Sequence, residues 1–127
     1  MPTDPASLSP GLEHSFEQQV PREYTIAHYD ARLPAVLSTP AMIGLMELAA
    51  ARSVEPCLAP GEITVGTRIE VDHLKSCPVG ASVRVRARYD RADGRFLIFE
   101  VSAHCRELLI GRGRVWRAIV NPARLAR

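Results

Sequence analysis

Residues 38–54 read STPAMIGLMELAAARSV, and between Arg32 and Arg52 the only ionisable side chain is Glu47. Met, Leu and Ala favour helix, and a single Gly44 weakens it only locally. Thr39 is a natural N-cap, with Pro40 suited to the first helical position. The CLAPGE segment at 57–62 breaks the pattern. A helix that is apolar nearly all round must be covered on most of its surface. A chain of 127 residues builds one core, so the remaining residues must wrap this helix. The helix is apolar enough that a second subunit is expected to help bury it.

The rest of the chain supplies the wrapping. Over 63–74, Ile63, Val65, Thr67, Ile69, Val71 and His73 alternate with Gly66, Arg68, Glu70 and Asp72, which places the first set on the face toward the helix. Over 81–90, Val83, Val85, Ala87 and Tyr89 alternate with Arg84, Arg86 and Arg88. Asp93-Gly94 marks a tight turn into 95–105, and 108–120 reads as a last strand loosened by Gly111 and Gly113. Between Glu13 and Tyr29 a first edge strand is expected, interrupted by Pro21. Residues 1–12 read as a flexible arm and 13–127 as a single domain. The order defines an α+β fold, a long central helix wrapped by a curved antiparallel sheet of about five strands.

Composition narrows the function classes. With 46% hydrophobic and 24% charged residues, the chain matches neither disordered nor fibrous proteins. The first residues carry no apolar signal core, and the 33–51 run is interrupted by Pro34, Pro40 and Glu47. A cytoplasmic protein without membrane contact is therefore expected. Cys57, Cys77 and Cys105 form no C-x-x-C pair, so reduced thiols are expected rather than disulfides or zinc. No metal site is expected, since His14, His28 and His104 have no evident co-ligands.

Residues 1–79 hold 5 basic and 10 acidic side chains, whereas 80–127 hold 11 and 4. The basic half suits either phosphate binding or an Arg-solvated outer face. No aromatic residues interleave with the Arg row of 81–90, so nucleic acid is not an expected partner. P-loop, dinucleotide and G-x-S-x-G motifs are absent.

Glu47 is the residue with the most chemical content. An unpaired carboxylate in apolar surroundings is costly, and such acids concentrate at functional sites. Thr39 lies eight residues earlier, a little over two helical turns, so both can project to one side. The helix N-terminus there can stabilise an oxyanion. His73, on the strand face toward the helix, adds a proton-transfer group that works near neutral pH.

The string TPAMIGLME followed by GEITVGTRIEVDH resembles the hot-dog-fold thioesterases of the fluoroacetyl-CoA thioesterase type. That pattern has a Thr, a Glu eight residues later and a His 26 residues after the Glu, spacings kept here by Thr39, Glu47 and His73. VSAH at 101–104 and RAI at 117–119 extend the resemblance, which covers about residues 33–120.

The resemblance implies a homodimeric hot-dog fold and hydrolysis of an acyl-CoA thioester. Thr39, Glu47 and His73 would be the catalytic set. Gly66 would lie near the reacting carbonyl and Arg117 near the substrate. Coenzyme A would enter as part of the substrate, with no separate cofactor. One position departs from the pattern: Leu33 stands where fluoroacetyl-specific members carry an aromatic gate. A short-chain or aryl acyl group is therefore expected in place of fluoroacetyl. A non-catalytic acyl-CoA-binding module and an acyl-thioester hydratase or dehydratase use the same fold and remain alternatives.

Overall fold

The computed structural model describes residues 1–125. It contains β1 (Glu13–Gln19), α1 (Thr39–Val54), β2 (Ile63–His73), β3 (Ser82–Asp93), β4 (Phe96–Cys105), β5 (Leu108–Val120) and a short α2 (Pro122–Leu125). The strands form one antiparallel sheet in the order β1-β3-β4-β5-β2. Strands β2 to β5 fall close to the expected ranges, and the first edge strand, expected somewhere within 13–29, is Glu13–Gln19. The β3–β4 turn falls at Gly94, whose φ of 60° lies in the left-handed region that the turn requires.

Helix α1 packs on the inner face of the sheet. Met42, Leu45, Met46, Ala49, Ala50 and Val54 are buried against Val83, Val85, Ala87 and Tyr89 of β3 and Leu97, Phe99, Val101 and Ala103 of β4. The thioethers of Met42 and Met46 occupy the space where Gly111 lacks a side chain, so this glycine admits the helix rather than simply loosening the strand. The opposite stripe of α1, Pro40, Gly44 and Leu48, is exposed, with Leu48 at 40%. The apolar helix is thus covered on one side only within a single chain.

The N-cap of α1 is Ser38, not Thr39. The buried Ser38 hydroxyl accepts a hydrogen bond from Ala41 N at 3.2 Å, which shifts the start by one residue and leaves the Thr39 hydroxyl free of capping. The expected alternation in β2 also breaks. A bulge between Gly66 and Arg68 leaves Thr67 as an extra residue, because Gly66 pairs with Arg117 and Arg68 with the adjacent Trp116. Thr64 and Gly66 before the bulge therefore face inward together with Ile69, Val71 and His73 after it. Ile63 and Val65, expected inward, point the other way.

On the outer face acidic and basic residues stand opposite one another in register: Glu13 and Arg88, Glu17 and Arg84, Glu100 with both Arg88 and Arg114, and Asp72 and Arg112. An ion pair formed there, the diagonal Arg86–Glu13, is half exposed and worth little in stability. Residues 1–12 lie along the domain. Thr3 Oγ1 donates to Glu62 at 2.7 Å, Leu8 is buried, and Gly11 N and Leu12 O bond the backbone of Tyr89.

All three cysteines are free. The Cys77 thiol donates to Cys105 Sγ at 2.8 Å, and burial, then this hydrogen bond, push its pKa up to about 12. Among the described residues no helix is long and apolar enough to cross a membrane. None of their His, Cys, Asp and Glu side chains gather in a group of three able to hold a metal ion.

Candidate active site

Two polar clusters interrupt the apolar surface of α1, and they lie apart. The first is at the helix start. Thr39 Oγ1 and His73 Nδ1 are 2.7 Å apart, bringing the first residue of α1 onto the last residue of β2. They border an open hollow of about 320 Å³ lined also by Ile26, Val36, Leu37 and Leu74 and by the polar Lys75 and Ser76. His73 Nε2 is buried and has no partner among the described residues. The main-chain amides at this end are largely committed. Pro40 has no N–H, and the N–H groups of Ala41 and Met42 bond Ser38. An oxyanion site built from several helix amides, expected from the sequence, is therefore not formed.

The second cluster surrounds Glu47, two turns along the helix. Arg117 Nη1 lies 3.1 Å from Glu47 Oε2. The guanidinium is itself held, with Nε donating to Thr64 Oγ1 at 2.8 Å and Nη2 to the Thr64 carbonyl at 2.7 Å. Arg117 and Thr64 are each 7% exposed. In this setting the pair is desolvated enough to matter, unlike the outer-face pairs. Glu47 Oε1 is buried and without a partner among the described residues. Gly66 lies directly beneath the carboxylate: a Cβ there would collide with Glu47 Oε2. Gly66 thus makes room for the acid itself.

Thr39 and His73 meet, and Glu47, Gly66 and Arg117 meet, but neither group touches the other. Eight residues of helix separate Thr39 from Glu47 by about 12 Å. Leu33 lies in the loop before α1, 44% exposed and outside the lining of the hollow. Arg84, Arg86 and Arg88 are on the outer face, away from both clusters. Thr64 went unnoticed in the sequence because unbroken alternation turns it outward. Its spacing of two from Gly66 was the available signal.

A five-stranded antiparallel sheet of this order packed around one central helix defines the hot-dog fold. A hot-dog-like protein from Thermanaerovibrio acidaminovorans shares the fold at a TM-score of 0.83, with 23% identity over 92% of this chain and 87% of its own. The family model for fluoroacetyl-CoA-specific thioesterases matches residues 20–123, so the chain belongs to that family of thioester hydrolases.

The fluoroacetyl-CoA thioesterase of Streptantibioticus cattleyicolor is 39% identical over 117 residues, covering 87% of this chain and 84% of that one. A solved variant of a fluoroacetyl-CoA-specific thioesterase, in complex with fluoroacetate and CoA, aligns with a TM-score of 0.86. It is 35% identical over 93% of this chain and 99% of its own.

Proposed function

We propose that this protein hydrolyses the thioester of a small acyl-CoA, with Glu47, His73 and Thr39 as its reacting groups. The observation that carries this reading is Glu47. One of its oxygens is fixed by Arg117, and the other is buried and uncommitted. The fixed arginine holds the carboxylate in one orientation. The free Oε1 acts at the thioester carbonyl carbon.

Two routes use this oxygen. In one, Oε1 bonds to the carbonyl carbon, the C–S bond breaks, and water then cleaves the mixed anhydride. In the other, Oε1 takes a proton from the water that attacks. Oxygen-18 from labelled water enters the Glu47 side chain only by the first route. His73, oriented by Thr39, returns a proton to the departing thiolate. Leu33, smaller than an aromatic gate, suits a short-chain or aryl acyl group rather than selection for fluoroacetyl.

The working unit in this reading is a homodimer. Among the described residues Glu47 Oε1 and His73 Nε2 each lack a partner, and the two clusters do not meet within one chain. A two-fold related copy that sets the Thr39–His73 pair of one subunit against the Glu47 of the other completes two equivalent sites. The exposed apolar stripe of Gly44 and Leu48 beside Glu47 is surface that such a copy would cover. The free thiols accord with a cytoplasmic protein.

The test is thiol release from a panel of acyl-CoA esters by wild type and Glu47→Gln. Release that falls roughly a thousandfold in a folded Glu47→Gln variant is expected. Near-normal release would remove Glu47 from the chemistry. Binding of coenzyme A esters without release by wild type would favour a binding module.

A further inference from the structure

The guanidinium of Arg117 is clamped more tightly than an ion pair with Glu47 requires. An arginine presents a side edge, Nε with one Nη, that matches the two oxygens of a carboxylate. Here that edge is fully occupied: Nε donates to Thr64 Oγ1 at 2.8 Å and Nη2 to Thr64 O at 2.7 Å. Only Nη1 reaches the acid, at 3.1 Å from Oε2. The three side chains come from three elements, Thr64 on β2, Arg117 on β5 and Glu47 on α1. The Glu47 carboxylate fills the space that Gly66, two residues beyond Thr64, leaves open on β2.

We propose that Thr64 is a positioning residue: by occupying the side edge of Arg117 it confines that arginine to a one-oxygen contact and keeps Glu47 Oε1 free to react. The proposal rests on Glu47 being the reacting acid of the hydrolysis above. If the Thr64 hydroxyl is removed, Nη2 keeps the Thr64 carbonyl but the buried Nε–H loses its acceptor, so that edge is held at one point only and the guanidinium can turn about it. The carboxylate, already in contact with Nη1, is then within reach of a second contact, which would engage the oxygen the chemistry needs.

Thr64→Val keeps the shape and removes the hydroxyl, whereas Thr64→Ser keeps the hydroxyl and removes a methyl. Two measurements apply to both variants and to wild type. Solvent exchange of the Arg117 Nε–H, followed by ¹⁵N NMR, is expected to be slow in wild type and Thr64→Ser and at least about tenfold faster in Thr64→Val. For thiol release from an acyl-CoA ester, Thr64→Val is expected to lower kcat about tenfold while KM stays within about twofold, and Thr64→Ser to restore kcat.

A folded Thr64→Val with wild-type kcat overturns the proposal. So does a Thr64→Ser variant as impaired as Thr64→Val. Fast exchange of the Arg117 Nε–H in wild type overturns it even if Thr64→Val fails to fold. A wild type that releases thiol from no ester would instead overturn the hydrolytic reading, leaving the exchange measurement to decide whether the clamp exists.

Discussion

At the scale of single residues, the site depends on where atoms are missing as much as on where they are present. Gly66 carries no Cβ, and the Glu47 carboxylate fills the space. Gly66→Ala is therefore expected to push Glu47 off its contact with Arg117. A displacement of about 1 Å at a reacting group costs on the order of a hundredfold in rate. Thiol-release kinetics should show that loss in kcat, while the melting temperature stays close to wild type because β2 is an edge strand whose pairing with β5 is retained. Glu47, Thr39 and His73 could all be singled out in the sequence because each is a polar residue in an apolar pattern. Their contacts could not. Thr39 was assigned to the cap because two residues able to cap are adjacent, and burial of Ser38 decides between them. The Glu47–Arg117 pair joins residues 70 positions apart, and no local pattern reports such a contact.

At the scale of elements, strand β3 was the most legible, since the alternation of Val83, Val85, Ala87 and Tyr89 with Arg84, Arg86 and Arg88 leaves one inward set; β5 was legible in extent only, because adjacent residues such as Ile110 and Gly111 are both buried. The helix was legible from its composition. Its first turn is held by the Ser38 hydroxyl on Ala41 N. Ser38→Ala is expected to cost about 1 kcal/mol, a fall of roughly 4 °C in Tm by thermal denaturation. It should also lower activity, because the same turn sets the Thr39 hydroxyl on His73. An unchanged Tm would show that the turn is held by the Ser38 carbonyl bond to Met42 N and by packing alone. Strand β2 was legible in extent but not in phase. A bulge has no composition of its own, and Thr67 is as ordinary a strand residue as Ile69 or Val71.

At the scale of the whole molecule, one chain buries one side of its helix and leaves the Thr39–His73 and Glu47–Arg117 clusters apart, which in the proposed function are two halves of a site. If the halves meet across a two-fold axis, two inactive variants should repair each other. Glu47→Gln and His73→Ala subunits, unfolded together and refolded at equal concentration, would give half heterodimers, each with one intact site of two. About a quarter of wild-type activity should return. A site contained within one chain predicts no recovery from the same mixture. A second subunit was expected from the apolarity of 38–54, and the exposed stripe of Pro40, Gly44 and Leu48 on the 16-residue helix supports that reading. The folding of residues 1–12 against Tyr89 and Glu62 was not anticipated, because its anchors are main-chain groups, one threonine and the single buried Leu8, which form no periodic pattern.

The bulge at Thr67 has a consequence for how relatives of this chain are found. The distance from Glu47 to His73 counts one residue that occupies no rung of the ladder. Deleting Thr67 would leave Gly66, Ile69, Val71 and His73 facing the same way, whereas deleting one residue between 68 and 72 with the bulge kept would turn His73 outward. A sequence search that fixes the Glu-to-His interval at its value here therefore selects for the bulge as well as for the chemistry. A homologue with a regular strand would carry the same imidazole in the same place one position earlier, and such a search would pass over it.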